Sequence, residues 1–307
     1  MGDQRQRLTY LTYRALGTLG EYLPRPVAAA ITGVAAEVMA RRPSAAKEVR
    51  THHLRRVLAH GSPVVAPDEA LVERWTRRSY RAYGRYWFEG ARLPATGRAE
   101  VCSHMWVLRG WDHVVRGMAA GKGVVLVLPH VGSWEWGGSW LAAVGYPMTS
   151  VAERVEPPAL FDWFVEERRA MGLTIVPLGP DSGGAMAKTL RSGGLVGLLC
   201  DRDIVGNGVE VDFFGERTTF PAGPATLALR TGAPLLPTAV YSGPGRDHNA
   251  VITALDIERR GALRADVARV TQDIAVAFEQ LIQAAPEQWH LFQPNWPSDP
   301  RPEGTGG

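Results

Sequence analysis

Two residues in the stretch LPHVGSWEWGG, His130 and Glu135, have the types and spacing for acid–base chemistry. A neutral imidazole held by a carboxylate on one nitrogen can take a proton from a hydroxyl with the other. The acid fixes the tautomer and stabilises the imidazolium as it forms. The chain has no G-x-S-x-G elbow, so the hydroxyl to be activated belongs to a substrate. On one helix, positions five apart point roughly 140° away from each other. For the two to cooperate, the backbone must turn between them. A structural histidine is the alternative reading of a single H-x4-E spacing.

The flanking residues supply that turn. The apolar, β-branched run 123–128, bounded by glycine, reads as a buried strand of a largely parallel sheet. Pro129 ends it, Gly132 permits an unusual φ, and Ser133 is a good N-cap for a helix over 134–144. Glu135 then falls in the first helical turn, where the macrodipole favours a negative charge. Strand ends of this kind are where open α/β sheets place their sites.

A second group, Cys200-Asp201-Arg202-Asp203, directly follows the apolar run 195–199. Its carboxylates suit hydrogen bonds to hydroxyls and its arginine suits a phosphate or carboxylate. A local Arg–Asp pair closing a loop is the plainer account. Glu210 and Asp212, with Glu216 and Arg217 after a turn, either border the same cleft or are solvated. Glu153-Arg154 ends another strand, and Glu166-Glu167-Arg168-Arg169 follows on a helix. Arg168 and Arg169 are candidate phosphate ligands, although a solvated face is the default for such a run. His290 sits among aromatic residues and reads equally as a core histidine. With no H-E-x-x-H and no C-x-x-C, metal binding is not expected.

Around these residues the pattern has two parts. The first hundred residues read as helices over 4–20, 26–40, 45–60 and 67–90. Beyond about 107, short apolar strands alternate with helices. The strands are expected at 124–129, 149–153, 173–178, 196–200, 209–214, 234–241 and 250–255. Helices are expected at 134–144, 157–171, 183–191, 222–231 and 262–284. The fold class is therefore α/β, a central mostly parallel sheet flanked by helices, with a helical N-terminal part. The expected divisions are 1–92 (helical and basic), 93–296 (the α/β core) and 297–307 (a flexible tail).

At 307 residues, with 45% hydrophobic and 21% charged residues, the chain is ordinary for a globular protein. No secretory signal and no transmembrane run are expected. Two cysteines, Cys102 and Cys200, exclude a disulfide scaffold and a multi-cysteine metal site. The charge is uneven: residues 1–92 carry sixteen Lys/Arg against eight Asp/Glu, in a chain of net charge +3. The basic residues alternate with Leu8, Tyr10, Leu11, Tyr13, Leu16 and Leu19, which suits an amphipathic helix on an anionic membrane. A solvated basic face explains the same pattern. Nucleic-acid binding is not expected, because no reader motif accompanies the charge.

Taken in order, these motifs resemble a known family. Gly121-Lys122-Gly123-Val124-Val125 followed by His130-x4-Glu135 is similar to the H-x4-D/E motif of glycerolipid and lipid A acyltransferases. Asp201-Arg202-Asp203, then 208–216, Pro221–Ala225, Thr231–Pro234 and Pro286–Pro294, follow the order of the late lipid A (lauroyl/myristoyl transferase) branch. Within it the chain most resembles the actinobacterial phosphatidylinositol mannoside acyltransferases. The resemblance implies a membrane-associated α/β fold and transfer of a long-chain acyl group, typically palmitoyl, from acyl-CoA to a mannose hydroxyl. It implies the cytoplasmic face of the plasma membrane, with no metal or redox cofactor. It makes His130 the general base and Glu135 its partner, gives Arg168 a donor or phosphate contact, and lines the pocket with Asp201, Arg202, Asp203 and Glu210. Backbone N–H groups over Ser133–Glu135 are the expected oxyanion donors. Many relatives carry aspartate where this chain has Glu135. The alternatives are a lysophospholipid or other glycolipid acyltransferase, a thioesterase with water as acceptor, and a catalytically silent lipid-binding protein.

Overall fold

The computed structural model describes residues 10, 11, 14, 18, 22–60 and 67–301. Three helices come first: α1 (Arg25–Arg41), α2 (Ala45–Ala59) and α3 (Glu69–Arg92). Pro26 occupies the first turn of α1, where no N–H is needed. Ser44 and Asp68 cap α2 and α3, their side-chain oxygens accepting from the amides of Lys47 (3.1 Å) and Leu71 (2.6 Å). Helix α1 lies along α3. Arg81 pairs with Glu37 at 2.8 Å, and Gly84 brings the two backbones together, since a Cβ there would meet the Thr32 carbonyl oxygen at 3.4 Å. On the outer face of α1, Val27, Ile31, Val34 and Val38 form an exposed apolar stripe at helical spacing. Most of the helix expected over 4–20 lies outside the described residues. Among those described, no helix is long and apolar enough to cross a membrane.

The α/β part follows in the order α4 (Arg98–Ser103), β1 (Met105–Arg109), α5 (Trp111–Ala119), β2 (Val124–Leu128) and α6 (Trp134–Ala143). Next come β3 (Met148–Ala152), α7 (Pro158–Ala170), β4 (Thr174–Pro177), α8 (Ser182–Arg191) and β5 (Leu195–Leu199). The remainder is β6 (Val209–Phe213), β7 (Glu216–Phe220), α9 (Gly223–Thr231), β8 (Leu235–Ser242), β9 (His248–Ile252) and α10 (Leu263–Gln283). Seven strands form one sheet in the order β1-β9-β8-β2-β5-β3-β4, parallel throughout except between β8 and β9. Strands β2 and β5 lie at its middle. Their unbroken apolar sequences are what a strand covered on both faces requires.

Three segments differ from expectation. Residues 209–214, expected among the strands of the α/β part, pair with β7 in an antiparallel ribbon separate from the main sheet. The turn between them, Phe214 (φ 50°) and Gly215 (φ 79°), has the left-handed pair that a two-residue hairpin needs. Strand β1 carries no strong alternation signal; it sits at the sheet edge with Trp106 and Leu108 exposed. The expectation of a flexible tail from 297 does not hold for residues 297–301. Asp299 is buried and accepts hydrogen bonds from the amides of Asn295 and Trp296, and it pairs with His52 (2.7 Å) and His53 (2.9 Å). Residues 302–307 lie outside the described residues.

Candidate active site

The site is built at the carboxyl ends of β2 and β5. These strands pair in parallel from Val124–Leu195 to Leu128–Leu199. Continued two residues further, the same register sets His130 opposite Asp201. Beyond Pro129 the chain turns sharply at Gly132 (φ 63°), where a Cβ would fall 2.0 Å from the Val240 carbonyl oxygen, so only glycine fits. The amide of Gly132 donates to the Gln288 carbonyl and that of Ser133 to the Val240 carbonyl. These bonds pin the link between His130 and α6.

His130 Nδ1 lies 2.5 Å from Asp201 Oδ1, and the His130 backbone amide donates to Asp201 Oδ2 at 2.9 Å. Trp289 Nε1 also donates to Oδ2, at 2.7 Å. The backbone of the Trp289 segment closes over the histidine, with the His290 amide donating to the His130 carbonyl at 2.7 Å. Asp201 is fully buried, whereas the His130 side chain is one-third exposed. Among the described residues no group bonds its Nε2. Burial disfavours the imidazolium, but the charge of Asp201 and its hydrogen bond outweigh that, and the pKa of His130 is raised above the ordinary histidine value. Burial likewise opposes the Asp201 carboxylate. The His130 partnership and the donors from the His130 amide and Trp289 outweigh it, holding this acid below its usual range.

This geometry corrects the expected pairing. Glu135 does not hold His130. Its Oε1 accepts from Tyr86 Oη at 2.9 Å and Arg168 Nη2 at 3.1 Å, and its Oε2 is buried with no partner among the described residues. Burial raises its pKa despite Arg168 and Tyr86. Arg168, from α7, also lies over the rings of Trp134 (5.2 Å) and Phe164 (5.6 Å). The pair is thus a partly buried ion pair on the wall of the site rather than a half of the dyad.

The other expected residues divide. Arg202 reaches the site through its charge, which opposes protonation of His130, and it approaches Glu153 at 3.9 Å. Asp203 turns inward to its own loop, accepting from the amides of Val205 (3.2 Å), Gly206 (2.9 Å) and Gly208 (2.7 Å). Glu210 lies on the solvent face of β6, where Arg217 at 4.0 Å is its described partner, and it is not brought to the site. The expected oxyanion donors narrow as well. Ser133 N–H is taken by Val240, its side chain makes no cap, and the Glu135 amide is engaged by its own carboxylate, which leaves the first-turn amide of Trp134. His290 is half-buried between Tyr83 and Tyr86, with ring centroids 5.6 and 5.0 Å away; loss of solvent around the ring drives its pKa down to about 3.

Sequence reasoning missed Tyr86 and Trp289 as site residues. Both are aromatic residues in segments remote from the H-x4-E motif, and nothing in their local spacing marks them. Behind the strand end lies a narrow apolar cavity of about 30 Å³, lined by Leu126, Leu128, Trp134, Gly138, Leu141 and Val240 among others. It lies between the sheet and α6. Among the described residues no cluster of His, Cys, Asp and Glu could hold a metal ion.

Comparison with known proteins bears on this arrangement. The family described as bacterial lipid A biosynthesis acyltransferase matches residues 4–298. A phosphatidylinositol mannoside acyltransferase of Mycobacterium tuberculosis (strain ATCC 25618 / H37Rv) is 40% identical over 245 residues, 77% of this chain and 73% of that protein. One of Mycolicibacterium smegmatis (strain ATCC 700084 / mc(2)155) is 36% identical over 300 residues, 95% of this chain and 93% of the relative. With the family matched over nearly its whole length, the chain belongs to the bacterial lipid A biosynthesis acyltransferases.

Proposed function

We propose that the protein transfers a long-chain acyl group, palmitoyl in our reading, from acyl-CoA to a mannose hydroxyl of a phosphatidylinositol mannoside. The observation that carries the chemistry is the buried Asp201 on Nδ1 of a one-third exposed histidine whose Nε2 is bonded by none of the described residues. Asp201 keeps the proton on Nδ1, so Nε2 presents its lone pair to the sugar hydroxyl. As the hydroxyl oxygen attacks the thioester carbonyl carbon, its proton passes to Nε2. The imidazolium so formed is stabilised by Asp201. The amide of Trp134, at the start of α6, is our donor for the developing oxyanion. When the tetrahedral intermediate collapses, the C–S bond breaks and the CoA sulfur takes the proton from Nε2. Ester and free CoA leave, and His130 is neutral again.

The names of the relatives support the acceptor, which is a phosphatidylinositol mannoside in both. The exposed stripe on α1 and the basic N-terminal part support docking on an anionic leaflet, which we place at the cytoplasmic face of the plasma membrane.

The test is an assay with labelled palmitoyl-CoA, offering a monomannosylated phosphatidylinositol or a lysophospholipid to native protein and to His130→Ala. We expect label on the mannolipid, lost in the variant. Label on the lysophospholipid alone overturns the acceptor, and free palmitate alone makes the protein a thioesterase.

A further inference from the structure

An arginine cluster lies on the same rim of the sheet as His130, outside the dyad. Strand β8 runs parallel to β2, so its carboxyl end and the loop to β9 fall at the catalytic edge. That loop carries Arg246. Arg25, the first residue of α1, and Arg92, the last of α3, converge on it. Arg25 Nη2 approaches Glu100 Oε1 at 2.6 Å, and Arg246 Nη2 closes on the same oxygen. Burial lowers the Arg246 pKa, and the charges of Arg25 and Arg92 push it further down. Arg246 Nε is buried with no hydrogen-bond partner among the described residues. Glu89 also attracts Arg246 but is already held by Arg85 (2.7 Å) and His248 (3.1 Å).

Two guanidinium groups, those of Arg25 and Arg246, therefore share one carboxylate oxygen, with Arg92 beside them donating to the Leu23 carbonyl at 2.7 Å, which leaves an excess of positive charge at a place open to solvent. The side chains of Arg25, Glu100 and Arg246 are 33%, 38% and 39% exposed. Guanidinium forks meet phosphate oxygens two at a time, and a phosphate here would relieve the mutual repulsion of the arginines. Position says which phosphate. Along α3, Tyr86 touches Glu135 in the site and Arg92 lies six residues further on, about 9 Å at the helical rise. That span suits the sugar rings between a reacting mannose and the phosphate of its lipid. Val27 opens the apolar stripe of α1 two residues from Arg25, which sets the cluster at headgroup level.

We infer that Arg25 and Arg246 form the subsite for the phosphodiester of the lipid acceptor, with Glu100 holding the two arginines in place until the phosphate arrives. The inference rests on the acceptor reading above.

The experiment compares KM for a monomannosylated phosphatidylinositol with KM for phosphate-free octyl mannoside, using the full chain and the variants Arg246→Gln, Arg25→Gln and Glu100→Gln. Losing a charge-assisted contact should raise KM for the mannolipid roughly tenfold more than for octyl mannoside in either arginine variant. Glu100→Gln should lower it, because the competing carboxylate is gone; a merely structural ion pair predicts no such gain. Equal effects on both acceptors would overturn the subsite, as would an increase confined to KM for palmitoyl-CoA, which would assign the arginines to the donor's phosphates. If native protein acylates neither mannoside, the acceptor reading has failed. The subsite is then read from vesicle binding. A preference for phosphatidylinositol over diacylglycerol vesicles that Arg246→Gln abolishes would support it, and one that survives would overturn it.

Discussion

His130 and Asp201 stand at the same level of two adjacent parallel strands, each two residues past the last ladder partners, Leu128 and Leu199, with Nδ1 and Oδ1 2.5 Å apart. The carboxylate that orients the imidazole thus comes from the neighbouring strand and not from the histidine's own motif. Asp201→Asn should lower kcat/KM about 10²–10⁴-fold, comparable to loss of the base itself. Because Asp201 raises the His130 pKa, the native acid limb of the pH–rate profile should lie above the ordinary histidine value. In Asp201→Asn burial acts unopposed, so that limb should move to lower pH. An unchanged limb would mean that another group titrates in the rate.

Trp289 acts on the reaction through Asp201, as a positioning residue. Trp289→Phe keeps an aromatic ring in a site packed by His53 and Trp296 but removes one donor from Oδ2. The carboxylate then carries more uncompensated charge toward His130. The acid limb should move to higher pH, and kcat should fall by roughly tenfold. A loss of stability without any change in the pH profile would reduce Trp289 to packing.

The Glu135–Arg168 pair should prove more important to the shape of the site than to proton transfer. Arg168→Leu leaves Glu135 largely buried with only Tyr86 beside it, which should cost about 3 kcal/mol in urea unfolding. The double variant Glu135→Leu/Arg168→Leu should regain much of that loss. Its acid limb should stay near the native one, since neither residue bonds the imidazole. A large shift of that limb would restore Glu135 to a direct role.

The stripe on α1 gives a salt-dependent prediction. Val34→Asp, at its centre, should weaken binding to anionic vesicles several-fold while leaving the melting temperature near native, because the side chain is exposed. Binding of the native chain should also weaken as salt rises and the Debye length shortens. Equal affinity for neutral and anionic vesicles would count against electrostatic docking.

The legible and illegible parts of this protein divide along a physical line. Strands β2 and β5, the turn at Gly132 and the start of α6 follow from residues within a few positions of each other, and the sequence alone places them. His130 at a strand end could be found the same way, and so could Asp201-Arg202-Asp203 as a charged group after an apolar run. Their partnership could not, because it depends on which strands are neighbours, and β2 and β5 are separated in sequence by two other strands of the sheet. The H-x4-E spacing offered a nearer partner, and local nearness misled. Tyr86 and Trp289 were hidden for the same reason. An aromatic residue on a long helix or in a buried turn reads as packing until the group it touches is known.

The clasp formed by Trp289 and His290 over the dyad also bears on when the enzyme becomes competent. The sheet is complete at Ile252, and both members of the pair are in place by Asp201. The indole that steadies Asp201 and the amide that holds His130 belong to a segment made after all nine strands, and Arg50 of α2 donates to the Pro286 carbonyl at its base. During synthesis, then, a chain with a finished sheet remains an unfinished catalyst, and the helical part made first must wait for the segment made late.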